Sequence, residues 1–388
     1  MNPTYQLERS QQQILVEGVT YTAAEIDRIS VPESTPEIDH FVEELKAFLQ
    51  EWFDPSPTLI VHTSGSTGAP KALCVRKAQM IQSAQMTCRF LGLQAGDSAL
   101  LCMPLRYIAG KMVVVRTLVA QLDLRLAVPS GHPLAHIESS PTFAAMIPLQ
   151  IYSSLQRKEE QIKLMGIKQL LIGGGAIDSA LEQAIRTLPG AIYSTYGMTE
   201  TLSHIALRRL NGQQASPRYT PLEGVHVSLS ETGTLRIEAP LVCDQPLVTN
   251  DMARLYPDGS FTILGRKDNI INTGGIKVQI EEVEQALKSI FSQPFAITSL
   301  PDPKFGERIV LLYTGDALEP ERLEILPKYQ RPRSIFYTQK IPLTETGKIN
   351  RLACRSLAAE LQKKTNNAHY LNDYAYLSLV NYFNNHEL

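Results

Sequence analysis

Thr63-Ser64-Gly65-Ser66-Thr67-Gly68-Ala69-Pro70-Lys71-Ala72 is the stretch on which the reading of this chain turns. Hydroxyl side chains, two glycines and a lysine behind a proline make a loop suited to wrapping polyphosphate. Glycine lets backbone amides approach an anion closely, serine and threonine add donors, and lysine adds a charge. A Walker A loop needs Gly-Lys-Ser/Thr at the opening of a helix, and here Pro70 stands between the last glycine and Lys71. The loop therefore belongs to a fold other than that of the P-loop NTPases.

Just before it, the apolar run 58–62 predicts a strand leading into the loop. Further upstream, 14–21 reads as a short strand and turn, and 41–53 as an amphipathic helix. Downstream, helix-like stretches at 79–90 and 111–121 alternate with apolar segments at 98–103 and 123–128. A helix before Lys163, a strand at 169–172, a turn at Gly173-Gly174-Gly175, a helix from Asp178 and a strand at 191–194 continue the alternation. Such alternation predicts an α/β architecture with buried, largely parallel strands. After about Thr220 the period changes to two, with turns at 231–233 and 256–259, predicting an antiparallel sheet or small barrel. A charged hinge, Gly265-Arg266-Lys267-Asp268, precedes a further α/β segment with a helix from Glu281. The expected units are a large domain over 1–267, a small one over 268–362 and an Asn/Tyr-rich tail over 363–388.

Composition narrows the partners. A chain of 388 residues with 20% charged residues and a net charge of -2 gives no electrostatic case for nucleic acid or an anionic membrane. A small molecule is the expected ligand. The amino terminus lacks the basic start and apolar core of a signal peptide, and the apolar run 112–115 is cut by Arg116, so the cytoplasm is the expected address. Five scattered cysteines without a C-x-x-C pair read as reduced thiols.

Three more clusters carry chemistry. Ser194-Thr195-Tyr196-Gly197-Met198-Thr199-Glu200-Thr201 follows an apolar strand, and strand ends are where open α/β sheets bind ligands. Tyr196 suits adenine stacking, Thr199 a phosphate oxygen and Glu200 a divalent cation. Asp251 and Arg266 lie at strand ends, and a carboxylate can accept both hydroxyls of a ribose. In 342–351, a glycine-hinged turn projects Lys348.

In this order the clusters resemble the adenylate-forming enzymes, which include acyl-CoA ligases, peptide-synthetase adenylation domains and luciferase; the likeness runs over about 59–351. It implies their fold, with a small mobile α+β carboxy-terminal domain, and implies ATP, Mg²⁺ and CoA as co-substrates and cofactor. By resemblance, Thr63, Ser64, Gly65, Ser66, Thr67, Gly68 and Lys71 cover the β- and γ-phosphates. Gly174, Gly175, Tyr196 and Gly197 take the adenine, and Asp251 and Arg266 the ribose. Thr199 touches the α-phosphate, Glu200 holds Mg²⁺ and Lys348 drives adenylation. Asp268 is the hinge, and Gly274, Gly275 and Lys277 serve thioester formation. The family admits homodimers. One departure stands out: 62 residues precede the loop, fewer than the family usually has, implying a reduced amino-terminal part.

For the acid, the segment 103–110 occupies the place where many acyl-CoA ligases carry an aromatic or histidine, and here it offers Arg106, Tyr107 and Gly110. Lys111 and Arg116 follow. His204 and Arg208, four apart, would share a face if 200–208 were helical. Cationic groups beyond the reacting carboxylate suit a substrate with a second negative group. Within the family, these segments look most like those of o-succinylbenzoate–CoA ligases of menaquinone biosynthesis. Other aryl- or acyl-CoA ligases, and an adenylating enzyme that loads a carrier protein, are the alternatives. A silent nucleotide-binding regulator would have lost Lys348.

Overall fold

The computed structural model describes residues 5–32, 35–62, 72–175, 177, 179–316, 318–344 and 348–368. Helix α1 (Pro36–Phe53) starts at Thr35, whose hydroxyl accepts from the Ile38 amide, and buries Phe41, Val42, Leu45, Phe48, Leu49 and Trp52 at three- and four-residue intervals. A hairpin of β1 (Ile14–Val16) and β2 (Val19–Tyr21) precedes it. Strands β3 (Thr58–His62) and β4 (Ala72–Arg76) then pair antiparallel, from Thr58↔Arg76 to His62↔Ala72. The stretch 63–71 is thus flanked by two paired strands, where a Walker A motif is followed by a helix.

A nine-stranded sheet follows. It uses α2 (Lys77–Leu91), β5 (Ser98–Leu101), α3 (Ile108–Ala120), β6 (Asp123–Leu126), β7 (Phe143–Met146), α4 (Pro148–Leu155), α5 (Lys158–Gly166), β8 (Gln169–Ile172), α6 (Ser179–Ile185) and β9 (Ala191–Gly197). Its edge comes from β10 (His204–Arg209) and β11 (Thr220–Pro221). Strands β1, β6, β5, β7, β8 and β9 run parallel, as the alternating pattern predicts, while β2, β10 and β11 add antiparallel edges. Helix α3 is buried on every side from Gly110 to Ala120, including Arg116.

The period-two region forms a four-stranded antiparallel sheet of β12 (His226–Leu229), β13 (Thr234–Glu238), β14 (Leu247–Leu255) and β15 (Phe261–Arg266). Beyond it, β16 (Ile270–Thr273), β17 (Ile276–Gln279), α7 (Ile280–Leu287), β18 (Phe295–Asp302), β19 (Gly306–Tyr313), β20 (Ser334–Tyr337) and α8 (Arg351–Ala368) build an α+β unit. It has two apolar clusters of its own, one around Val283, Leu287 and Leu311, the other joining Leu312 and Phe336 to Cys354 and Ala358 of α8. Among the described residues no helix is long and apolar enough to cross a membrane, and the five cysteines are free thiols.

Candidate active site

Two sheets meet at the carboxyl end of β9. Tyr196 leaves the large sheet there, packing edge-on against Phe261 of β15 at 5.3 Å between ring centroids and tilted against Tyr219 at 5.8 Å. Its hydroxyl donates to Asp251 Oδ2 at 2.6 Å, crossing from one sheet to the other. Burial and the neighbouring Asp251 charge raise the Tyr196 pKa, so the phenol stays a donor. Asp251 stands directly opposite Arg266 in the β14–β15 ladder, and Arg266 Nη1 reaches Asp251 Oδ1 at 3.4 Å. The same guanidinium grips Asp268 with Nε and Nη2, both at 2.8 Å. That pairing holds the Asp268 carboxyl below its usual range, against burial, which pushes it up.

Lys348 is half-buried beside this pair. Burial lowers its pKa, the Arg266 charge lowers it further, and Asp251 opposes the shift. Its turn is fixed by backbone bonds from Thr344 N to Lys348 O at 2.7 Å and from Asn350 N to Pro342 O at 2.9 Å, with Lys348 N donating to Thr344 Oγ1. Below the turn, Arg351 grips Glu284 of α7 with both Nη groups, and Glu284 also accepts from the Ile297 amide of β18. Gly274, Gly275 and Lys277 lie on the exposed β16–β17 hairpin.

Residues 63–71, the loop that opened the reading, lie outside the described residues. Its flanks are defined: the His62↔Ala72 pair closes the hairpin, and His62 bridges to Tyr107. Tyr107 precedes α3, with the Arg106 guanidinium over its ring at 4.9 Å. Gly110 is required at the start of this helix, since a Cβ there would meet Pro104 O at 2.6 Å. Gly174 and Gly175 follow β8 beside Ile147 and Pro148. Gly197 has Ser203 O 2.2 Å from where its Cβ would be, so only glycine lets β10 return this closely.

Between them, Thr199 and Glu200 open a single 3-10 turn (Thr199–Thr201), Thr199 half-buried and Glu200 exposed. Leu202 then takes φ 65° and ψ -38° while Ser203 N bonds Thr201 O at 2.7 Å, a three-residue turn with positive φ that is uncommon and strained for a branched side chain. Strain of this kind gathers at sites whose geometry is fixed from outside.

The expectation that His204 and Arg208 share a helical face needs correction. Residues 204–209 form strand β10 and not a helix, and a bulge between His204 and Ala206 breaks the two-residue alternation. His204 consequently bonds Thr87 of α2, while Arg208 makes a bidentate pair with Glu182 of α6 at 3.0 and 3.1 Å. Arg208 is neutralised there and does not join His204. Lys111 likewise turns to α1, pairing with Glu51 at 3.0 Å beneath the Phe48 ring.

Arg116, the next cation along α3, is buried. The residue is 2% exposed; Nη2 donates to Ser203 Oγ at 2.7 Å, and among the described residues Nε has no partner. Burial lowers its pKa to about 10, and its charge together with burial drives His204 well below the ordinary histidine value. The sequence marked Arg116 as the end of an apolar run; the signal that distinguishes it is a charge inside a helix apolar all round.

In architecture these sheets, the hairpin and the carboxy-terminal α+β unit are those of an adenylate-forming enzyme. Residues 4–239 match the AMP-binding enzyme family, and the chain belongs to it. It is 25% identical over 322 residues to the 2-succinylbenzoate–CoA ligase of Lactococcus lactis subsp. lactis, an alignment covering 77% of this chain and 70% of that one. It is similar to an acyl-CoA synthetase (AMP-forming)/AMP-acid ligase II-like protein from Dyadobacter fermentans, at 31% identity and TM-score 0.59, covering 86% of this chain and 97% of that one. The o-succinylbenzoate coenzyme A synthetase of Bacillus subtilis, solved with ATP and magnesium ion, shares the fold at 18% identity and TM-score 0.67, with coverage of 90% and 99%.

Proposed function

We propose that this chain is an AMP-forming acid–CoA ligase, and that its acid is 2-succinylbenzoate or a closely similar aromatic dicarboxylate. The observation that carries the first part is the convergence of Tyr196, Asp251, Arg266 and Lys348 at one junction, in the order the family uses. The names of its relatives and the buried Arg116 support the second. Among the described residues no carboxylate pairs with Arg116; a buried guanidinium left so costs several kcal/mol, and a distal carboxylate of the substrate supplies a counter-charge. The two units, taken as 1–267 and 268–362, meet at Asp268.

In the first half-reaction a carboxylate oxygen of the acid attacks the α-phosphorus of ATP. The bond to pyrophosphate breaks and an acyl-adenylate forms. Tyr196 takes adenine on its free face while its hydroxyl holds Asp251 toward the ribose. Two anions approach each other in this step, so Lys348 offsets the charge that grows on the phosphoryl oxygens and the leaving group. Glu200, an exposed carboxylate at the opening of a turn, fits Mg²⁺, which keeps several waters and takes one or two carboxylates. The ion when bound would neutralise phosphate charge. In the second half-reaction the CoA thiol, losing its proton, attacks the acyl carbon and AMP departs. The Gly274-Gly275-Lys277 hairpin is then brought to the site by rotation about Asp268.

The test is ATP- and CoA-dependent AMP release with a panel of acids that includes 2-succinylbenzoate. Turnover with that acid at the highest kcat/KM, and pyrophosphate exchange that persists without CoA, are the expected results. Exchange with no acid would overturn the enzyme, and turnover only with a carrier protein would overturn CoA as acceptor.

A further inference from the structure

Arg116 is the end of a hydrogen-bonded chain whose every proton can be assigned. Thr87 Oγ1 lies 3.1 Å from Ser83 O, an acceptor only, so the single hydroxyl proton of Thr87 is committed there. Thr87 Oγ1 is also 2.9 Å from His204 Nε2, and must accept at that contact. His204 Nε2 therefore carries the proton. His204 is buried, and among the described residues the charge acting on it is that of Arg116, which offers it no counter-charge. A neutral ring protonated at Nε2 has its lone pair at Nδ1, which lies 3.3 Å from Ser203 Oγ. Ser203 donates to it and has only its oxygen left for Arg116 Nη2 at 2.7 Å.

We propose that Thr87, His204 and Ser203 are positioning residues for the acid. Each fixes the direction of the next hydrogen bond, so that Ser203 faces Arg116 with an acceptor and holds one edge of its guanidinium, leaving its remaining donors for the substrate's distal carboxylate. This rests on the reading of Arg116 given above. Rotating the Thr87 hydroxyl off Ser83, or protonating His204, reverses the donors along the line and turns the Ser203 proton toward the cation. The strained Leu202 turn serves the same end, because it sets Ser203 and His204 on the approach to β10. A shared structural role of core packing would not require any direction in the chain.

Two measurements on the full-length protein test it. Nitrogen NMR of the imidazoles, with His204 assigned by the signal lost in His204→Gln, should show a neutral Nε2–H tautomer at pH 7 and a changed tautomer balance in Thr87→Val. An imidazolium, an Nδ1–H tautomer or an unaltered signal in Thr87→Val overturns the chain, whatever the substrate is. Kinetics of Thr87→Val with 2-succinylbenzoate and with the matched acid lacking the ring carboxylate should show the diacid losing about five- to tenfold more in kcat/KM, chiefly through KM, the loss expected of one hydrogen bond. Thr87→Ser, which keeps the hydroxyl, should restore it. Equal losses with both acids overturn the positioning role. Wild-type protein that fails to prefer the diacid overturns the reading of Arg116 instead, and with it the link from the chain to substrate, while the NMR result still decides the direction of the bonds.

Discussion

Tyr196→Phe removes one oxygen and leaves the ring in place, with its contacts to Phe261 and Tyr219. The bond lost is 2.6 Å long and ends on a carboxylate that is 15% exposed. A hydrogen bond to a charged group contributes about 1.5–3 kcal/mol, or roughly 10- to 150-fold in an equilibrium constant. Asp251 keeps a second anchor, Arg266 at 3.4 Å, and regains some hydration at this partly open position. The lower end of the range, about tenfold in KM for ATP, is therefore the expected effect. Acid-dependent pyrophosphate exchange measures it, run with ATP and with its 3′-deoxy analogue. If the phenol acts by aiming Asp251 at the ribose, the analogue has less to lose and the preference for ATP shrinks. An unchanged KM, or equal losses for the two nucleotides, would refute the reasoning and leave Tyr196 a packing residue only.

Lys348→Ala should lower pyrophosphate exchange by about a hundredfold, since one charge-stabilising donor contributes on the order of 3 kcal/mol, with nucleotide binding measured by calorimetry nearly intact. The Lys348 pKa is depressed, so the charged form is complete below that value and exchange should decline as pH rises through it, earlier than an ordinary lysine would dictate; Arg266→Gln should move that alkaline limb upward. Arg351→Ala strips the buried Glu284 of its bidentate partner beneath the Lys348 turn, and denaturant unfolding should register a loss of about 2–4 kcal/mol.

Much of the scaffold was legible because its strands are short apolar runs with turn residues at their ends. The strand at 169–172 was read to the residue, and the β12–β15 region announced itself by its period of two and its Gly turns. The region after Glu200 was not. Polar and apolar residues there fit a helical face as well as a bulged strand, and a bulge is dictated by the close return of Ser203 onto Gly197 rather than by local pattern. Pairing across long separations was equally invisible: Lys111 finds Glu51, and Arg208 finds Glu182, through folding alone. Arg116 was legible as one of several cations near the acid segment, but its burial was not, because a single charge in an apolar run does not say which way the helix turns it.

Arg266 holds Asp251 with one nitrogen and Asp268 with Nε and Nη2, so in the proposed mechanism the wall of the nucleotide site and the pivot of the carboxy-terminal unit share a single side chain. In that mechanism a swing about Asp268 would have to unfasten the guanidinium first. The proposed order of the half-reactions would then depend on one latch, and a chain with lysine at 266 would keep the charge while losing the forked grip on Asp268.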